Sequence, residues 1–265
     1  MYVCSRCKGP LLDYRCANCQ LEFSVIEGIP CFLTDTAGAS NQKLREIYDD
    51  IYDHHVDAWV GQGREEAFLK YIGSLAQIPA NGDVLEIGCG EGMQLAALPG
   101  GSKHGIDPSV RALLRARRRS AAQCAVARAE SLPFAEASFD LVVTVGVMEH
   151  FEDPDAASAE INRVLKSAGQ YICLIQTDMT RLQRAAVKMR EYVYPRFRPL
   201  AALKWATSKV RHPIVQPMRK SYTVATAQQC LERNGLAVTQ IITRRNQPNA
   251  PLTGDHVVIL LARKR

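Results

Sequence analysis

Residues 84–92 read VLEIGCGEG, and this stretch decides the fold. Val84, Leu85 and Ile87 make a buried strand that runs directly into glycines at 88, 90 and 92 and then into a short helix. Glycine at such a turn supplies positive φ and lets the main chain touch a ligand, while the helix N-terminus offers free N–H groups. A dinucleotide fingerprint requires G-x-G-x-x-G, but the third glycine position holds Met93, so a nicotinamide cofactor is disfavoured. Glu86 lies inside the strand, where a carboxylate repels a pyrophosphate and suits a cationic group.

Outward from this stretch, strands and helices alternate. KHGID, CAVA, FDLVVTV and QYICLIQT read as strands, with helices beginning at Ser109 and near Pro154. Such alternation predicts an α/β fold with a parallel sheet covered on both faces. TVATAQQCLERNG is a helix with a glycine stop; LAVTQIIT and HVVILLARK then follow with no crossover helix between them, which predicts a closing antiparallel hairpin. Upstream, Leu44, Ile47, Tyr48, Ile51, Tyr52, Val56, Trp59 and Val60 recur at helical spacing, and EEAFLKYIGSLA continues the pattern. Asp107 closes the second strand in GIDPS, where an acid accepts hydrogen bonds from both hydroxyls of a ribose.

The N-terminal stretch CSRCKGPLLDYRCANCQ places Cys4, Cys7, Cys16 and Cys19 as two C-x-x-C knuckles separated by eight residues. Four thiolates on short hairpins suit a tetrahedral structural zinc, which staples a segment too small to fold on a core of its own. This segment resembles the small zinc-ribbon module that serves as activator subunit of tRNA and protein methyltransferases, down to its GIP ending at residues 28–30. The resemblance implies a ribbon over residues 1–36 that is structural or docks a protein partner. Cys31, Cys89, Cys124, Cys173 and Cys230 are isolated and read as core.

Residues 41–265 resemble the class I S-adenosylmethionine-dependent methyltransferases. The resemblance rests on E-x-G-x-G-x-G at 86–92, the acid at 107, ESLPF-x-x-x-SFDLV from Glu130, MEHF-x-DP from Met148 and the closing hairpin, all in family order. It implies a Rossmann-like seven-stranded sheet and S-adenosyl-L-methionine as cofactor. Glu86, Gly88, Cys89, Gly90 and Gly92 would line the methionine end, with Tyr48 reaching it from the helix above. Asp107 and Pro108 would hold the ribose, Glu130 and Ser131 the adenine side, and Val145 would close the floor. Arg128 departs from the Asp that the family commonly places there. His150 is the candidate general base, with Glu149 orienting its ring; the competing reading makes His150 a packing or capping residue of the next helix. Gly146 stands where a further carboxylate would support a catalytic metal.

The chain has 265 residues, 47% hydrophobic and 23% charged, the composition of an ordinary globular protein. Its longest apolar run, 141–148, is far short of the roughly 18 residues that span a bilayer. Cys4, Arg6 and Cys7 precede any apolar stretch, so no secretory leader and a cytoplasmic location are expected, and nine cysteines there are not a disulfide framework. The net charge of +6 is concentrated: residues 179–220 hold eleven Lys and Arg against Glu191 alone, interleaved with Tyr192, Tyr194, Phe197 and Trp205. This basic helical insertion is expected to meet an anionic partner, either a membrane surface peripherally or RNA. Arg111, Arg115, Arg117, Arg118 and Arg119 are read as a solvated helix face. The chain reads VMEH where an N/D-P-P-Y/F motif would mark amine methylation. The expected acceptor is therefore an oxygen or carbon of a small or lipid-linked biosynthetic intermediate, with RNA base methylation second and a catalytically silent binding partner third.

Overall fold

In the computed structural model, the described residues are 2–33, 39–54, 66–177, 220–252, 254 and 256–265. The basic insertion, apart from Lys220, lies outside them, as do Val56, Trp59 and Val60. Two small hairpins come first. β1 (Leu11–Leu12) and β2 (Arg15–Cys16) are joined by Asp13 and Tyr14, and β3 (Val25–Ile26) and β4 (Ile29–Pro30) by Glu27 and Gly28. All four linking residues have φ between 48° and 75°, the left-handed pair that matches a two-residue turn to the twist of its strands.

The remaining strands form one seven-stranded sheet. They are β5 (Asp83–Ile87), β6 (Ser102–Asp107), β7 (Gln123–Val126), β8 (Phe139–Val145), β9 (Leu165–Gln176), β10 (Leu236–Ile242) and β11 (Val257–Lys264). Their order is β10-β11-β9-β8-β5-β6-β7. β5 to β9 pair in parallel, and β11 runs antiparallel between β9 and β10. The central strands are apolar on both sides, as FDLVVTV in β8 illustrates, because helices cover both faces.

The helices are α1 (Ala39–His54), α2 (Glu66–Ser74), α3 (Met93–Ala97), α4 (Val110–Ser120), α5 (Pro154–Val164) and α6 (Val224–Arg233). α2, α3 and α4 bury Phe68, Ile72, Leu95, Val110 and Leu113 on one face of the sheet, while α5 and α6 bury Ala157, Ile161, Ala227 and Leu231 on the other. Their starts are written locally. Ser109 caps α4 by accepting from Ala112 N, Asp153 caps α5 with Pro154 in its first turn, and Thr223 and Thr226 form a capping box on α6. Each such cap stabilises its helix by about 1 kcal/mol.

The N-terminal hairpins do not stand apart from the sheet. Cys31 pairs in parallel with Val126 on the edge strand β7, with Phe32 N donating to Val126 O at 2.8 Å. Tyr2 bridges Phe134, and its ring lies 5.5 Å from that of Phe134 and 5.1 Å from that of Phe32. Cys4, Cys16, Phe23 and Phe32 join one apolar layer, and Ile29 and Cys31 join the other. The ribbon thus wraps the β7 edge and shares the core.

Candidate active site

The loop after β5 is built by backbone contacts. Gly88 N and Cys89 N both donate to Ile106 O, at 2.8 and 3.0 Å, and Gly90 N donates to Asp107 Oδ2 at 3.0 Å. Gly88 and Gly92 have φ of 68° and 75°. A Cβ at 88 would lie 2.5 Å from Val147 Cγ2, and one at 92 would lie 2.8 Å from the Ala116 backbone. At these two positions the close approach on the Cβ side comes from the segment after β8 and from α4. Cys89 is buried, and burial pushes its thiol well up, so its side chain is neutral core and only its main chain faces the loop.

Asp107 is 5% exposed at the end of β6. Oδ1 accepts from Ser109 N at 2.9 Å and Oδ2 from Gly90 N, which fixes the carboxylate plane while leaving lone pairs on both oxygens. Burial outweighs these two hydrogen bonds and raises its pKa to about 7. Burial followed by the Asp107 charge pushes the half-buried Tyr48 phenol upward, so α1 brings Tyr48 within electrostatic reach of Asp107. Glu86 is buried on β5, Pro108 follows Asp107, and Val145 ends β8 partly buried.

Asp49 was not singled out by the sequence, yet it docks α1 here. Its Oδ1 accepts from Ser109 Oγ at 2.6 Å and Arg111 N at 3.1 Å. Of the α4 arginines, Arg111, Arg117, Arg118 and Arg119 are exposed as expected, but the face is also tied down by ion pairs and hydrogen bonds. Arg111 pairs with Asp53 and Glu27, Arg117 donates to Gly28 O at 3.2 Å, and Arg115 meets the buried Glu91 at 2.5 Å while Arg119 donates to Glu91 O. Glu91 lies within the glycine loop, so this helix anchors it.

On the expected adenine side, Glu130 accepts from Glu152 N at 2.7 Å, Asp153 N at 3.3 Å and Arg128 Nε at 3.3 Å. Arg128 also donates to Asn41 Oδ1 and pairs with Glu152, so the unexpected Arg ties the start of α1 to this loop. Ser131 donates its hydroxyl to Ser5 O at 2.6 Å and its N–H to Arg128 O at 3.3 Å. After β8, a 3-10 turn spans Met148–His150. Glu149 is buried with Oε1 accepting from Gln176 N, and its carbonyl accepts from Lys220 N at 2.7 Å. The acid braces the end of β9. His150 itself is half-buried at the rim.

The thiols of Cys4, Cys7, Cys16 and Cys19 lie within 4.8 Å of one another, with Cys7 Sγ and Cys16 Sγ 3.5 Å apart. Tetrahedral ligands at about 2.3 Å from zinc stand about 3.8 Å apart, so this donor set fits that ion. The hydrogen bond between Cys19 and Cys7 brings the Cys7 thiol down to about 7 and pushes that of Cys19 up to about 12, so the four thiols share protons while no metal holds them.

Residues 85–173 match the methyltransferase domain family. The match runs from Leu85 in β5 to Cys173 in β9. Among relatives, the ubiquinone/menaquinone biosynthesis C-methyltransferase of Desulfotalea psychrophila is 32% identical over 148 residues, 53% of this chain and 59% of the relative. The malonyl-[acyl-carrier protein] O-methyltransferase of Hahella chejuensis is 32% identical over 132 residues, covering 46% of this chain and 47% of the relative. The chain therefore spans about half to three-fifths of these relatives' lengths. A solved complex between the Haloferax volcanii Trm112 methyltransferase activator and a methyltransferase aligns with TM-score 0.57 at 17% identity, over 83% of this chain and 97% of that one. No helix among the described residues is long and apolar enough to cross a membrane.

Proposed function

We propose that this chain transfers a methyl group from S-adenosylmethionine to an oxygen or carbon nucleophile of a small or lipid-linked acceptor. The observation that carries this reading is the Asp107 carboxylate, buried and held edge-on by Gly90 N and Ser109 N beside the glycine loop. When bound, the cofactor supplies an electrophilic methyl group whose transfer discharges its sulfonium. Asp107 accepts from the two ribose hydroxyls, and Glu86 offers negative charge to the cationic end of the ligand. The Glu130 main chain and the Ser131 carbonyl would contact the adenine, since the Glu130 and Ser131 side chains, Ser131 N and the Leu132 main chain are already engaged. His150 receives the proton of an acceptor hydroxyl at a ring nitrogen as the methyl group arrives. Positioning and water exclusion do most of the remaining work in such a displacement.

The acceptor class is supported by relatives whose names specify quinone and acyl-carrier-protein substrates. The eleven basic residues of 179–220 favour a second reading, with RNA as acceptor, and a relative named as a tRNA carboxymethyluridine methyltransferase from Xenopus tropicalis supports it. The same segment suits peripheral contact with anionic lipid, and the ribbon suits docking of a protein partner. Calorimetry with S-adenosylmethionine and NAD tests the cofactor; micromolar binding of the first alone is expected, and NAD binding would overturn the reading. Methyl transfer from radiolabelled cofactor to a demethylquinone, an acyl-carrier protein or tRNA then separates the acceptors.

A further inference from the structure

We infer that the ribbon clamps both cofactor-binding segments, so that metal occupancy at its four thiols and nucleoside binding at Asp107 are thermodynamically linked. The inference rests on the cofactor reading above.

The first route starts between metal ligands. Ser5 lies between Cys4 and Cys7, and Lys8 follows Cys7, with Lys8 N donating to Cys4 O at 2.9 Å. Ser5 O accepts from Ser131 Oγ at 2.6 Å and from Lys8 Nζ at 2.8 Å. Lys8 Nζ continues to Leu132 O at 3.2 Å and Glu160 Oε2 at 2.7 Å, and the same Glu160 oxygen accepts from Leu132 N at 2.8 Å. Residues 131 and 132, expected to bear the adenine, are therefore held on both peptide faces by a cluster whose ribbon half is shaped by the metal.

The second route runs from the other hairpin. Glu27 and Gly28 hold Arg111 and Arg117 of α4, and Arg115 and Arg119 of the same helix hold Glu91 in the glycine loop. The segment leading into the second hairpin is tied to the first, since Phe23 N donates to Tyr14 O at 2.9 Å and Cys16 N to Leu21 O at 2.8 Å. Both segments of the nucleoside site thus share one support.

Linkage is reciprocal: whatever factor zinc contributes to nucleoside affinity, the nucleoside must return to zinc affinity. Couplings of this kind are commonly about 5- to 150-fold, and about tenfold is expected here. The test measures zinc affinity by equilibrium competition with a chromophoric chelator, with and without saturating S-adenosylhomocysteine, and S-adenosylhomocysteine affinity by calorimetry. The wild-type chain should hold zinc about tenfold more tightly when S-adenosylhomocysteine is bound. Lys8→Met keeps all four thiols, and Glu160 keeps Arg163 at 2.6 Å, so this variant should fold, yet lower the factor below the wild-type value to what the second route still carries. Leu12→Ser, at an exposed position of the same ribbon, should leave the factor as in wild type. Equal zinc affinity with and without bound S-adenosylhomocysteine in the wild type overturns the linkage while leaving the cofactor reading intact. Failure of the wild type to bind S-adenosylhomocysteine at all overturns that reading and the linkage with it. The wild-type comparison needs no substitution, so it decides even if Lys8→Met misfolds.

Discussion

Asp49 on α1 accepts the hydroxyl hydrogen of Ser109, the residue that caps α4, at 2.6 Å. The cap is thereby shared between its own helix and the helix lying over it. Asp49→Ala removes a charged hydrogen-bond acceptor from two donors, and about 1.5 kcal/mol of docking free energy should go with it. Limited proteolysis should then cut within 39–54 faster than in wild type, with the sheet still folded. Unchanged cleavage would show that α1 is held by its apolar face alone.

Burial holds the Asp107 carboxyl at about 7, and in the proposed role ribose hydroxyls would donate to its charged form. Binding the charged form costs a deprotonation below that pKa. Affinity for S-adenosylhomocysteine should therefore be full above pH 7 and weaken as pH falls through it, approaching tenfold per unit at lower pH. Asp107→Asn should bind more weakly at pH 8 and lose the dependence. Calorimetry at pH 5.5, 6.5, 7.5 and 8.5 checks both statements, and a wild-type profile flat from 5.5 to 7.5 contradicts them.

Gly88 combines a left-handed φ of 68° with a Cβ position 2.5 Å from Val147. Gly88→Ala meets both, at about 1–2 kcal/mol for the backbone and about 1–3 kcal/mol for the clash. Thermal melting should report the sum. Pairing it with Val147→Ala should recover the clash portion but not the backbone portion, and a double variant no more stable than the Gly88→Ala single would refute the contact.

Freshly purified protein should contain close to one zinc per chain. Because Cys4 and Cys16 belong to a layer that also contains Leu85 and Val142, Cys16→Ser should lower the melting of the whole chain in one transition. Two separated transitions, with the later one at the wild-type temperature, would mean that the ribbon melts alone.

His150→Ala should lower kcat by about 10² and leave S-adenosylhomocysteine affinity unchanged if the imidazole takes the acceptor proton. Joint loss of affinity and of melting temperature would make it a packing residue.

The parts of this architecture that repeat or alternate were readable in one dimension. The run from Val84 to Gly92, the acid at 107, the paired knuckles and the closing hairpin each carry their signal within a few residues. What escaped reading depends on chain segments brought together across long separations. Cys31 meets Val126, Ser5 meets Ser131 and Lys8 meets Glu160, and no periodicity in either segment announces the other. The arginines of α4 look like a solvent face because their partners, Glu27, Gly28, Asp53 and Glu91, come from three different places in the chain. Arg128 looked like a missing adenine contact, and its use with Asn41 and Glu152 becomes visible only once α1 has been placed.

The pairing of Cys31 and Phe32 with Val126 has a consequence for the protein's solubility. A parallel strand at the rim of a sheet is a template for other chains, and β7 is apolar along Cys124, Ala125 and Val126. Here the template is occupied by a segment that, on the zinc reading, would fold around four thiolates. When metal is scarce, the first casualty should be dispersion rather than catalysis: newly made chains with an empty ribbon would stack through β7 and be withdrawn from the soluble pool before any acceptor is encountered.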